Sequence, residues 1–257
     1  GVVHLNGRLA IARSEQALAL SSGGSTTINT LTIAGEGLNA FAGAVDGTTG
    51  LALTGVDFAL ALMKPLNAAG ERSWLALRAD AEAVSVVGVT GFTLDVADAF
   101  VEVNQGFGDG NNSVIDFAST PLDVAVGGGR VRFSIAGSEG NVVRASAAVR
   151  LAVADYFYVA GRVSIESFTR AVKLNTGDGL EARVLAIGAS TGLSAFAGLN
   201  KPATGGNAIG LSLEAVNFAL AYVRPTATAD SRRWISLDST VGAAALVGVS
   251  GLTIGVE

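Results

Sequence analysis

The 257-residue chain sets 17 Lys and Arg against 22 Asp and Glu, a net charge of −5, with 49% hydrophobic and only 15% charged residues. A chain of this length can bury a sizeable core, and an aliphatic, weakly charged composition is the reverse of a disordered one. The absence of Cys removes disulfides and thiolate chemistry, and a single His removes any site needing two imidazoles. The acidic balance argues against nucleic acid as a partner.

In chain order, residues 1–8 lack both a charged segment and a continuous apolar run, so no cleaved leader is expected. No apolar stretch reaches the roughly 20 residues of a membrane-crossing helix, and membrane spanning is not expected. Alternating strands of about 10 residues are equally the mark of a transmembrane barrel. Aromatics, however, are only 6% and do not gather at strand ends.

Along 51–62, Leu51 and Leu53 are odd-numbered whereas Val56, Phe58, Leu60 and Leu62 are even. Either a bulge at Gly55 keeps these side chains on one face, or the strand is apolar on both faces. In 74–83, Leu75, Leu77, Ala79, Ala81 and Ala83 oppose Arg78, Asp80 and Glu82. The Gly-rich turn 106–113 follows, then Gly127-Gly128-Gly129. Beyond it Val131, Phe133 and Ile135 alternate with Arg130, Arg132 and Ser134. Ala145, Ala147, Val149, Leu151 and Val153 share a face, as do Phe157, Val159, Val163 and Ile165. At 211–222 the phase slip recurs, at Ala215. Period-2 alternation of this kind specifies half-buried strands, and no window carries a helical period. The expected class is all-β: an elongated assembly of long antiparallel strands.

Self-similarity organises the chain. Residues 50–65 return as 210–225, including Val56-Asp57-Phe58-Ala59-Leu60 as Val216-Asn217-Phe218-Ala219-Leu220. Trp74 returns as Trp234, and 87–94 as 247–254. Upstream, 37–43 matches 192–198, and Gly7-Arg8 matches Gly161-Arg162. A tandem repeat of about 155 residues follows. Its first unit is 1–154, of which 104–154 occurs once, and its second, truncated unit is 155–257. The alternative is a closed domain with internal two-fold symmetry.

The repeat also filters the candidate site residues. His4 becomes Tyr158 and Asp57 becomes Asn217, so neither fits a catalytic role shared by both copies. Trp74 and Trp234 do recur; they are core anchors or, if both rings are exposed, a ligand platform. Asp109 and Asn111 on their Gly-rich turn are candidate Ca²⁺ ligands, because clustered Asp and Asn oxygens suit that ion. No other cofactor is indicated. The carboxylates Asp95, Asp98, Glu102 and Asp116 are scattered, so no glycosidase dyad is assembled. Gly127-Gly128-Gly129 precedes a strand rather than a helix, so it is no phosphate loop. Enzymatic activity is not expected.

The segments Gly-Val-Thr-Gly-Phe-Thr-Leu (88–94) and Gly-Val-Ser-Gly-Leu-Thr-Ile (248–254), with the Val-Asp/Asn-Phe-Ala-Leu runs before them, resemble the long β-repeats of giant bacterial secreted or surface proteins of adhesin type. The resemblance implies export without a cleaved N-terminal signal, a secreted or cell-surface location, a structural or adhesive role in a fibre or surface layer, and calcium dependence. Its partners would be neighbouring repeats of the same chain or identical chains. The alternative reading is a lipid-binding or lipid-bridging module, recognisable by an apolar face running continuously through successive units.

Overall fold

The computed structural model describes residues 1–66, 72–200, 207–249 and 251. Much of the 247–254 match lies outside the described residues. In chain order the strands are β1 (Val2–Ala19), β2 (Ser25–Gly43), β3 (Gly50–Pro65), β4 (Ser73–Val87), β5 (Phe92–Phe107), β6 (Leu122–Val126), β7 (Gly129–Phe133), β8 (Val142–Val153), β9 (Phe157–Lys173), β10 (Gly179–Leu199), β11 (Ile209–Pro225) and β12 (Trp234–Val247). All but β6 and β7 form one ten-stranded sheet, in which each pairs antiparallel with the next, an up-and-down meander from β1 to β12. The short β6 and β7 make a separate hairpin. The only helical element among the described residues is a single 3₁₀ turn, Gly137–Glu139. No helix among them is long and apolar enough to cross a membrane.

The sheet strands run from 12 residues in β8 to 21 residues in β10. They are this long because period-2 alternation resumes after each mid-strand irregularity and chain-reversing turns fall only at the ends. At ~4.8 Å per strand spacing the sheet is about 43 Å wide. Its two faces differ. The segment between β5 and β8 leaves one end of the sheet and folds back over β1–β4, covering that end of one face, the hairpin face. Leu18, Ile28, Met63 and Trp74 of the sheet meet Ile115, Phe117, Phe133 and Ile135 of this cover, all at most 2% exposed. Small residues on the sheet side, Ala34, Ala59, Ala61 and Ala76, let the hairpin approach closely. Phe117 and Phe133 stack with centroids 5.3 Å apart. Main-chain bonds stitch the cover down: Ser21 N–H to Val114 O (2.9 Å) and Asp116 N–H to Ala19 O (2.8 Å).

The phase slip is resolved by a band of irregularities across mid-sheet. Gly37 (φ 58°), Gly55 (φ 60°), Asp98 (φ 48°), Gly192 (φ 77°) and Ala215 (φ 50°) are left-handed, and the register shifts beside Gly37, Asp98 and Gly192. Directly opposite residues share a face, so faces can be followed strand to strand. Leu53 pairs Val84, which pairs Val96, which pairs Val149. On the other side of the band Leu60 pairs Leu77, then Val103, then Val143. Val143 and Val149 lie in β8, whose register with β9 is unbroken, so both rows are on one face. The bulge alternative holds: the apolar side chains of β3 stay together.

The side chains at the bulges match between the two halves. Gly37 N–H donates to Asp57 Oδ1 (2.7 Å), and Gly192 N–H donates to Asn217 Oδ1 (2.9 Å). In both copies the glycine N–H is received by a side-chain Oδ1, which Asp and Asn both carry, and Asn217 additionally donates its Nδ2–H to Ala215 O (3.4 Å). β9–β12 follow the same meander as β1–β4, but among the described residues no segment equivalent to 108–141 lies over them.

Candidate functional site

The face opposite the hairpin is the candidate surface, because its apolar rows run across the sheet uncovered among the described residues. Following register from the bulges towards the hairpin end, one row runs Leu9, Gly35, Phe58, Ala79, Val101, Ala145, Ile165, Ile187, Leu220, Leu237. The adjacent row runs Ile11, Ile33, Leu60, Leu77, Val103, Val143, Ser167, Leu185, Tyr222, Ile235. Every position but Ser167 is apolar, glycine or tyrosine, and the two rows cross the whole sheet, passing from β8 to β9 without a break. Beyond the band, Phe92, Val153, Phe157, Ala197, Leu211 and Leu246 continue the pattern. Exposure is high on the edge strands, Ile11 73%, Ile235 72% and Leu237 65%, and lower within the sheet, from Ile165 47% down to Val103 8%. Isolated exposed hydrophobics are ordinary, whereas a contiguous apolar surface beyond a few hundred Å² marks an interaction site.

At the end of the sheet from which the hairpin leaves, this open face turns polar. A recess of about 660 Å³ is floored by Leu31, Leu62 and Leu75 and rimmed by Arg13, Asn29 and Lys64. At the corresponding place in β10–β12, a recess of about 530 Å³ holds Thr169, Arg183, Arg224, Arg232 and Arg233 with Asp230. Asp230 is engaged by Arg232 at 2.6 Å, and that hydrogen bond holds the carboxyl below its ordinary range.

The hairpin face carries no comparable surface among the described residues. Across its middle, Arg78, Glu102, Arg144 and Glu166 alternate in register. Glu102, 3% exposed, receives Arg144 at 2.6 Å and Arg78 at 3.4 Å, and Arg144 also reaches Glu139 at 2.6 Å. Burial disfavours the Arg144 cation, but its bonds to Glu102 and Glu139 outweigh that and hold its pKa above the ordinary value. The ladder ties the 3₁₀ turn after the hairpin to the sheet.

Comparison with protein-family models, with curated proteins and with solved structures finds no match to this chain.

The residues singled out in the sequence lie apart from this face or are held by the fold. Trp74 is 1% exposed and its Nε1–H donates to Ser113 O (3.0 Å) beneath the hairpin, so it is a core anchor and not the exposed ring that a two-tryptophan platform requires. Trp234, lacking that cover, is half-buried with the Arg232 guanidinium 5.5 Å above its ring. Asn111 is consumed by its own loop: Oδ1 accepts from Ser113 N–H (3.2 Å) and Oγ–H (2.9 Å), and Nδ2 donates to Phe107 O (3.0 Å) and Ser73 O (3.3 Å). Asp109 is exposed beside it, and no group of three or more His, Cys, Asp or Glu is placed to hold a metal among the described residues. Asp98 is held by Arg162 (3.1 Å), and Asp116 by Ser119 Oγ–H and Gly137 N–H (2.6 and 2.8 Å). Asp95 stands opposite Arg150. The structure does not bring Asp95, Asp98, Glu102 and Asp116 together. Gly127-Gly128-Gly129 makes the β6–β7 turn, with Gly127 at φ 58° and Gly128 N–H donating to Glu36 Oε2 (3.3 Å). Composition alone could not isolate Arg183, Arg224 and Arg233. The repeat offset could have: these positions correspond to Asn29, Lys64 and Ser73.

Proposed function

We propose that this chain is a non-catalytic module whose working part is the open apolar face, a surface for lipid hydrocarbon. The observation that supports this is continuity: the apolar rows cross the full sheet, and the join between the two copies of the pattern, without a charged residue. A sheet needing only mechanical integrity gains nothing from leaving side chains such as Ile11, Ile165 and Ile235 in water, at a cost of roughly 25 cal/mol per Å² of apolar area. An enclosed single-ligand pocket would instead converge a few polar groups on a concave apolar site.

The test is native mass spectrometry and lipid extraction of the purified chain, with uptake of a fluorescent diacylglycerol. Ile165→Asn with Ile187→Asn, adjacent at the centre of the face, should reduce uptake several-fold with the far-ultraviolet spectrum unchanged. Absence of co-purifying lipid and of uptake, with a stable dimer by light scattering, would assign the face to a second copy and overturn the reading.

A structural or adhesive role at the cell surface is the second reading, supported by the unbroken pairing of β8 with β9 that fuses the two copies into one sheet. Six strands per unit would add about 29 Å of width. A concatemer of such units should lengthen by that increment in small-angle scattering; a constant cross-section with independent beads would refute it.

A further inference from the structure

We infer that the basic recess of β10–β12 is a headgroup site for an anionic phospholipid whose acyl chains lie on the open face; the inference rests on the hydrocarbon reading above. Arg183 stands directly opposite Arg224 in register. The pairing of Val223 with Trp234 sets Arg233, one residue before β12, beside Arg224, so three guanidiniums follow one row. Like charges directly opposite are destabilising. None of the three makes an ion pair among the described residues: the one carboxylate lining the recess, Asp230, is taken by Arg232. Such a row, without an ion pair among the described residues, is complementary to an anion carrying two or more charges, and guanidiniums match phosphate oxygens in a bidentate fork. Thr169 adds a hydroxyl on the same lining.

The identity of the anion follows from what adjoins it. Two residues further along the same face of each strand, next to Arg183, Arg224 and Arg233, stand Leu185, Tyr222 and Ile235, the last three members of an apolar row. A phosphate seated on the arginines therefore has an alkyl floor beginning one side chain away, which fits a phosphodiester or phosphomonoester on a diacyl lipid better than a free nucleotide or peptide. The first copy keeps the floor, Leu31, Leu62 and Leu75, but has Asn29, Lys64 and Ser73 in place of the arginines. The headgroup preference therefore belongs to the second copy.

The experiment is co-flotation of the full chain with phosphatidylcholine vesicles, with or without phosphatidic acid, alongside uptake of neutral diacylglycerol. Each arginine at an anionic lipid surface contributes about a factor of five in affinity, so R183Q/R224Q should lose roughly 30-fold for phosphatidic acid vesicles. Its diacylglycerol uptake should equal that of the unaltered chain, and R183K/R224K, which keeps the charge but loses the fork, should bind phosphatidic acid vesicles between the two. Diacylglycerol uptake without a preference for phosphatidic acid, or a preference that survives R183Q/R224Q, overturns the headgroup site and leaves the hydrocarbon face standing. Failure of every lipid to bind overturns both. Displacement by inorganic phosphate as effective as that by phosphatidic acid assigns the row to a free anion and overturns the lipid inference.

Discussion

Trp74 and Trp234 occupy matching places in the two copies, yet only the first is covered, and this makes them a built-in comparison. Truncating a fully buried aromatic costs about 3–5 kcal/mol, the lost transfer energy plus a cavity term. The Trp74 ring is 1% exposed and its loss also deprives the Ser113 carbonyl of a donor. Trp74→Ala should therefore cost about 4–5 kcal/mol. Trp234 is half-buried, and Trp234→Ala should cost about 1–2 kcal/mol from area alone. Trp74→Phe separates the two contributions: it keeps most of the apolar area and loses the hydrogen bond, at about 1–1.5 kcal/mol. Urea unfolding followed by far-ultraviolet circular dichroism reports all three. Each single variant also leaves one indole as a local fluorescence probe. Equal losses for Trp74→Ala and Trp234→Ala would refute the claim that residues 108–141 build the core over β1–β4.

Three further outcomes are expected. Asp57→Asn should leave stability nearly unchanged because Asn217 already serves in the other copy, while Asp57→Ala should cost about 1 kcal/mol by depriving Gly37 N–H of its acceptor. Equal effects in thermal unfolding would show that the bond does not pin the bulge. Glu102→Gln removes the buried carboxylate that Arg78 and Arg144 share, leaving Arg78 only Asp80 (3.6 Å) and Arg144 only Glu139 (2.6 Å). It should cost about 3 kcal/mol, the low end for a broken buried pair because both guanidiniums keep some contact with water; a neutral result in chemical denaturation would dissolve the ladder. For Asp116, the Ser119 hydroxyl bond and then the Gly137 amide hold the carboxyl below its ordinary value. The unfolded chain therefore binds the proton first, so this group's contribution is complete above the ordinary value and is lost as pH falls through the lower folded one. Asp116→Asn should flatten the stability profile below about pH 4, and an unchanged acid limb would contradict the assignment.

How much of this is legible in the sequence depends on the range of the interaction. Period-2 alternation is local, so strand class, strand length and the shared odd positions of 145–153 are readable directly. The phase slip at Gly55 and again at Ala215 announces the irregularity. Choosing between a bulge and two apolar faces requires knowing that Leu53 lies opposite Val84 and Leu60 opposite Leu77. Alternation in 130–135 reads like that of the sheet strands. Its Phe133 and Ile135 instead face Phe117 and the underside of the cover, because the short β7, closed by Gly127-Gly128, pairs only with β6. Nor can composition distinguish Trp74 from Trp234, since burial of the first is set by Ser113 on a distant loop. The repeat offset marks Arg183, Arg224 and Arg233 as departures from Asn29, Lys64 and Ser73, but that they form one row is readable only from register, because they belong to separate strands.

The left-handed residues at mid-height have a mechanical corollary. A bulged strand bends and twists more sharply at that point, and here the irregularities in β2, β3, β5, β10 and β11 fall at a common level. A sheet weakened along one line folds along it like scored card. The crease crosses the sheet from β2 to β11 and divides the open face into two greasy panels whose mutual angle it sets.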